Sequence, residues 1–412
     1  GTHGTFAVTE GGDWTYTLDN ATAQGLAGGE TVTETFTVTA TTADGESVDQ
    51  TVTVTVTGAE DAPVISGTTT GAVAEDGTLA TGGTLVSTDA DATDAPTFTA
   101  QPATAGTHGT FAVTAGGDWT YTLDNAAAQS LAGGEVVSET FTVTATTADG
   151  ESVDQTVTVT VTGAEDAPVI TGTASGAVAE DGTLAATGTL VTSDADAADT
   201  PVFTSQSGIA GSYGTFAVTA GGDWTYNLDN SAAQGLAGGE VVSETFTVTS
   251  TTADGESVDQ TVTVTVTGAE DAPVITGTAS GAVAEDGTLT AGGTLTSTDA
   301  DATDAPTFTA QPATAGTHGT FSVDAAGAWT YSLDNATAQS LAGGEVVSET
   351  FTVTATTADG ESVSQAVTVT VTGAEDAPVI SGMATGAVTE DTVLSATGTL
   401  ATTDADTVDT PV

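Results

Sequence analysis

Acidic side chains return at fixed positions along this chain, and no basic side chain accompanies them. The pair Asp89 and Asp91 recurs as Asp194/Asp196, Asp299/Asp301 and Asp404/Asp406. Glu60-Asp61 recurs as Glu165-Asp166, Glu270-Asp271 and Glu375-Asp376. Glu75 returns as Glu180, Glu285 and Glu390, Asp149 as Asp44, Asp254 and Asp359, and Glu135 as Glu30, Glu240 and Glu345. By contrast Asp118 gives way to Ala328, and Asp154 to Ser364. The acids that drift read as solvated surface, and the acids that persist read as ligands. Carboxylates clustered without cationic partners repel one another unless a hard cation is bound, and Ca2+ takes about 6–8 oxygen ligands. With no His or Cys at these positions, softer transition metals are disfavoured. Asp89-x-Asp91 does not open an EF-hand, because the sixth position is Asp94 rather than Gly and the twelfth is Ala100 rather than Glu.

The composition points the same way. Lys+Arg is 0 against 56 Asp+Glu, a formal charge of −56. Phosphate backbones and anionic lipid surfaces are repelled, which argues against nucleic-acid and membrane partners, and cations are the natural ones. The plainer account is that acidity keeps a long chain soluble or suits a salty habitat. Disorder does not fit, because a hydrophobic fraction of 38% alternates regularly along the chain. Cysteine is absent, and no run of 18 or more apolar residues occurs. Gly1 stands first, without an initiator Met or signal peptide, so the chain reads as a fragment or processed product.

The elements that position these acids repeat with them. The block Glu-Asp-Ala-Pro recurs every 105 residues without insertion or deletion, a period too long for a solenoid unit and right for one autonomous domain. The chain therefore divides into a C-terminal part of a repeat (1–61), complete repeats 62–166, 167–271 and 272–376, and an N-terminal part (377–412). Within 62–166, strands are expected at Pro63–Ile65, Gly71–Ala74, Thr84–Thr88 and Thr97–Thr99. A hairpin follows, Thr110–Val113 and Trp119–Leu123 around Ala115–Asp118. Asn125 to Leu131 reads as one helical turn. Two long strands close the repeat, with Val137, Phe141, Val143, Ala145, Val157, Val159 and Val161 inward and threonines between them. Seven or so short strands predict an all-β architecture, tandem Ig-like antiparallel β-sandwiches in a linear array. Phe111, Trp119, Tyr121 and Phe141 are the expected core rather than a sugar-binding platform. His3, His108 and His318 share one repeat position with Tyr213, which favours packing over ligation. Asn20 and Asn335 each open an Asn-x-Thr triplet and carry no further signal.

The order Val73-Ala74-Glu75-Asp76, Asp89-Ala90-Asp91, Leu131 to Glu135, Asp149-Gly150 and Glu165-Asp166-Ala167-Pro168 resembles bacterial cadherin-like domains. The blocks Gly109-Thr110-Phe111, Asp118 to Asn125 and Gly163 to Val169 resemble more closely the VCBS repeat of very large bacterial surface and secreted proteins. The likeness covers essentially the whole chain. It implies Ca2+ at the joints between consecutive repeats. Glu75 and Glu135 would lie at the lower pole of one repeat, Glu165 and Asp166 in the linker, and Asp194, Asp196 and Asp254 on the next repeat. Thr162, Ala164 and Gly133 stand where cadherins place further ligands, which implies about one or two ions per joint.

The function expected from these readings is structural and non-enzymatic. The chain would be a stalk or fibre segment of an extracellular bacterial surface adhesin or biofilm matrix, its short linkers stiffened by calcium. A strand of about ten residues spans roughly 34 Å, so four repeats reach on the order of 150 Å. One alternative is a glycan- or partner-binding adhesive module. Another is a filament in which partial repeats of different copies complete each other by strand donation. No Ser-His-Asp set or phosphate loop is visible, and one active site repeated in every copy is an implausible enzyme. Neighbouring repeats and other copies of the chain are the expected partners; the adhesive target cannot be read.

Overall fold

The computed structural model describes residues 1–408, so residues 409–412 of the last partial repeat lie outside it. The chain forms two compact units, one of Gly1–Ile170, Val191–Phe203 and Thr249–Asp259, the other of Thr171–Leu190, Thr204–Val248 and the chain from Gln260 onward. Repeat 62–166 lies wholly in the first unit and 272–376 wholly in the second.

Strands are numbered here within repeat 62–166. They are β1 (Val64–Gly67), β2 (Thr70–Ala74), β3 (Ala80–Thr88), β4 (Thr97–Phe98), β5 (Gln101–Ala105), β6 (Gly109–Val113), β7 (Asp118–Leu123), β8 (Val136–Thr146) and β9 (Ser152–Thr162), with the single-turn helix α1 (Asn125–Ala128) between β7 and β8. One sheet runs β1-β3-β7-β6-β5 and the other β2-β9-β8-β4. The same two sheets recur in the same order in repeat 272–376. The β-sandwich expected from alternation is therefore the fold, with two additions. Strand β5 follows β4 and forms the edge of the first sheet, and β2 pairs β9 in parallel, from Thr70 opposite Thr158 to Ala74 opposite Thr162.

The Thr-x-Val alternation makes the long hairpin. β8 and β9 pair over eleven residues, Val136 opposite Thr162 through Thr146 opposite Ser152, with Phe141, Val143, Val157, Val159 and Val161 buried. Branched residues suit a pleated surface with one face covered. From the other sheet come Phe111, Trp119 and Tyr121. The Phe111 and Phe141 rings stack with centroids 4.6 Å apart, and Trp119 Nε1 donates to Thr68 O at 2.7 Å. These aromatics are core. In 1–61, which has no counterpart of β1–β5, the equivalent Trp14 is 50% exposed where Trp119 is 1% exposed. Covering by those strands is what buries the indole.

Two local devices fix the lower pole of the repeat. Asp124 caps α1, its carboxylate accepting from Ala126 N at 3.1 Å. Asp76 turns the chain from β2 to β3 at φ 50°, held by a reciprocal pair: its amide donates to Asn125 Oδ1 at 2.9 Å, and Asn125 Nδ2 donates to its Oδ1 at 2.6 Å. Asp tolerates this left-handed backbone better than bulkier residues.

Candidate metal centre at the repeat joints

The first unit contains the junction of 1–61 with repeat 62–166. The linker amide of Asp61 donates to Asp91 Oδ2 at 2.9 Å, and the Asp91 amide donates to Asp89 Oδ1 at 2.9 Å. Asp94 N bonds Asp91 O at 3.1 Å, which closes the Asp89–Asp94 loop. That loop meets the preceding repeat through Ala92 N and Gly25 O at 3.3 Å. Across the site, the turn between β8 and β9 brings Asp149 and Glu151, with Gly150 at φ 105° allowing the reversal. Seven carboxylates converge: Glu60, Asp61, Asp89, Asp91, Asp94, Asp149 and Glu151. Oxygens of Glu60, Asp91 and Asp94 all lie within 4.8 Å of one another.

Four of these carboxylates hold a buried oxygen with no hydrogen-bond partner: Asp61 Oδ2, Asp89 Oδ2, Asp91 Oδ1 and Glu151 Oε2. The same four recur at Asp166, Asp194, Asp196 and Glu256, and again at Asp271, Asp299, Asp301 and Glu361. At the fourth junction Asp376 Oδ2 and Asp406 Oδ1 repeat the pattern, and Asp376 N donates to Asp406 Oδ2 at 3.1 Å. Asp404 Oδ1 accepts from Asp406 N at 3.1 Å, and Glu375 lies against Gly343. Buried polar atoms are nearly always satisfied, since each bare one costs about 1–3 kcal/mol. An all-oxygen set with four bare buried oxygens fits a hard divalent cation.

The electrostatics agree. A hydrogen bond to Asp149, then burial, then the charges of Asp149, Asp91 and Glu151 push Glu60 up to about 7. Asp149 is lowered by the same hydrogen bond and by one from Thr147. The two shifts run in opposite directions, so a proton taken up by this pair goes to Glu60. Glu165 with Asp254 and Glu270 with Asp359 behave alike, each Glu again at about 7. Burial and neighbouring carboxylates also raise Asp94, Asp199 and Asp304.

Glu75 lies on the other side of the next linker. Its carboxylate accepts from Ala164 N at 3.1 Å and from Gln129 Nε2, and its charge, with those of Asp76, Asp194 and Asp196, adds to burial in raising Asp166. Glu180 takes Ala269 N and Gln234 Nε2, and Glu285 takes Ala374 N and Gln339 Nε2. These glutamates tie the linker to its own repeat. Glu390 is exposed. Glu30, Glu135, Glu240 and Glu345 are exposed as well, each carboxylate folded back on its own loop to accept from Ala27, Ala132, Ala237 or Ala342 N. What their loops give the joint is a glycine. A Cβ on Gly133 would come within 1.8 Å of Glu165 Oε1, and Gly28 and Gly238 meet Glu60 and Glu270 in the same way.

Sequence reasoning missed Asp94, Asp199 and Asp304, and Glu151, Glu256 and Glu361. All six pass the recurrence test that selected the others. The histidines, read as packing residues, are mostly buried, and His108 Nδ1 sits 3.2 Å from the buried Glu139 Oε1 while its amide donates to the same oxygen at 2.6 Å. Tyr213 keeps the amide bond to Glu244, at 2.8 Å, so the backbone contact is the constant feature.

A model of the bacterial cadherin-like domain family matches residues 60–163, 165–268 and 270–373. No curated protein matches the chain. Similar solved structures include the protocadherin γB4 extracellular domain, at 15% identity over 95% of this chain and 62% of that one, with a TM-score of 0.43. The chain thus spans less than two thirds of that structure. Protocadherin γB2 extracellular cadherin domains 1–5 match at 14% identity over 90% and 71%, TM-score 0.45. Drosophila N-cadherin EC1-4 matches at 17% over 89% of each, TM-score 0.31. Among the described residues no helix is long and apolar enough to cross a membrane.

Proposed function

The chain belongs to the bacterial cadherin-like domain family, and from that premise we propose that it is a non-enzymatic, adhesion-type repeat segment whose joints are stiffened by Ca2+. The repeats are 62–166, 167–271 and 272–376, flanked by partial ones, and are of the VCBS type on the blocks Asp118–Asn125 and Gly163–Val169. The segment works outside the bacterial cell, in a surface adhesin or matrix fibre, with neighbouring repeats and other copies of itself as partners. One observation carries the calcium reading: the same four buried, unpartnered carboxylate oxygens recur at three joints, and two of the four at the fourth.

Asp61, Asp89, Asp91 and Glu151 would hold the ion, with Glu60, Asp94 and Asp149 beside them. The bound ion supplies neutralising charge and a cross-link. The chain's own contribution is placement. The Asp61 amide anchors Asp91, Gly28 leaves room for Glu60, and the Gly25 carbonyl seats the Asp89–Asp94 loop. A linker of a few residues otherwise leaves neighbouring domains free to reorient. Calorimetric titration of the metal-free chain with CaCl2 tests the reading. Saturable binding with a rise in melting temperature is expected; no binding heat and an unchanged melting curve would refute it.

A further inference from the structure

The second sheet has an edge that its own repeat does not close. β8 pairs β9 along its whole length, but on its other side it meets β4 only through Ala145 and Thr146. Thr144 O accepts from Thr99 N, and Thr142 O accepts from the side-chain amide of Gln101 at 2.9 Å. Main-chain groups that face one edge alternate by two, so those of Ser138 and Thr140 face the same side. The facing edge strand, β5, is guarded by Pro102 and by an irregular register with β6. β8 has no proline and keeps a regular register with β9. Between the two edges runs a groove of about 410 Å3, lined by Gln101, Thr104 and Gly106 on one lip and Ser138, Thr140 and Thr142 on the other. It recurs in repeats 167–271 and 272–376 at about 430 and 630 Å3, each time with a glutamine amide, of Gln206 or Gln311, capping one carbonyl of the open edge.

Charge decides what fits there. Glu139 lies in the groove between Ser138 and Thr140 and is 8% exposed. An added strand would direct one side chain in two toward it. This chain has no Lys or Arg, so a second copy has no basic side chain to set against that carboxylate. We propose that the open edge of β8 in each repeat docks an extended, cationic segment of a partner protein, which adds to the sheet as a further strand. Main-chain hydrogen bonds would supply the affinity and the inward-pointing basic residue the selectivity.

The test uses the full chain in excess calcium with three synthetic peptides of alternating sequence: Lys-Val repeats, Glu-Val repeats, and the Lys-Val peptide N-methylated on alternate amides. The Lys-Val peptide is expected to bind with amide NMR shifts at Ser138–Thr142, Ser243–Thr247 and Ser348–Thr352, and the Glu-Val peptide not to bind. N-methylation should weaken binding roughly tenfold or more, since at least two hydrogen bonds are lost. The triple variant T140P/T245P/T350P should lose binding equally. Equal binding of the N-methylated peptide, shifts confined to the joints, or concentration-dependent self-association protecting β8 in place of peptide binding would each overturn the proposal. The N-methylation arm leaves the protein unaltered, so it decides the matter even if the proline variant fails to fold.

Discussion

The backbone amide of Asp61 and the carboxylate of Asp91, thirty residues apart, meet at 2.9 Å. The contact recurs between Asp166 and Asp196 at 2.9 Å, Asp271 and Asp301 at 3.0 Å, and Asp376 and Asp406 at 3.1 Å. One oxygen of each second aspartate is thereby spent on holding the linker. The other is left buried and bare. Linker placement and a bare buried oxygen are joined in a single side chain.

Replacing that side chain by its amide isostere separates the two roles. D91N, D196N and D301N keep an oxygen for the linker amide and remove a charged ligand. Calcium affinity at the altered joint should fall roughly tenfold or more, because ligand charge sets affinity in such sites. Calorimetry of the triple variant reads this directly, while melting in chelator should change little.

The glycines beside the linker give a contrasting pair. In G133A the new methyl meets the carboxyl end of Glu165, a group that can swing aside, so calcium binding weakens and the metal-free fold survives. In G163A the methyl lies 2.4 Å from Ala132 O and 2.6 Å from Leu131 O, both main-chain atoms. That overpacking should cost about 1–3 kcal/mol with or without calcium. Chemical denaturation in chelator and in calcium distinguishes the two.

Acidity should act oppositely on the empty and the loaded joint. Glu60, Glu165 and Glu270 are raised to about 7 in the folded chain. A group raised in this way binds more protons folded than unfolded, so its stabilisation is complete below the unfolded value near 4.5 and is lost as pH climbs through about 7. Their partners Asp149, Asp254 and Asp359 are lowered, and their contribution is lost instead as pH falls below the ordinary aspartate range. In chelator, melting temperature should therefore decline between pH 5 and 7.5. In calcium the proton must leave the pair, so affinity should rise over the same interval, with proton release detectable in buffers of different ionisation heat.

The buried Glu139 offers a control remote from the joints. It accepts from His108 N and, at 3.0 Å, from Tyr121 OH. E139A strips both donors of their partner and should destabilise the repeat by about 1–3 kcal/mol per donor, equally with and without calcium. Urea melts in both conditions measure it.

How far the sequence carried these features depends on how local their cause is. The Thr-x-Val alternation dictates β8 and β9, and Trp119, Tyr121 and Phe111 announce the core, because period-two burial is written directly into residue order. Strand β5 and the parallel β2–β9 pairing were not legible. Gln101-Pro-Ala-Thr-Ala has no alternation of its own and is a strand only because β6 stands beside it. Glu139 interrupts an apolar face and is buried because distant donors from His108 and Tyr121 reach it. At the joints, recurrence found Asp61, Asp89, Asp91 and Asp149. It could equally have found Asp94 and Glu151, which lie within a few residues of acids already selected. The retreat of Glu135 onto Ala132 N was not readable, since recurrence says that an acid is kept and not where its oxygens turn.

Calcium is proposed to lock consecutive repeats. Small-angle X-ray scattering of the whole chain, in calcium and then in excess chelator, tests it most directly. A single extended distance distribution is expected in calcium, shortening and broadening on chelation, and D91N/D196N/D301N should keep its broad distribution in both. Identical profiles with and without calcium would contradict it.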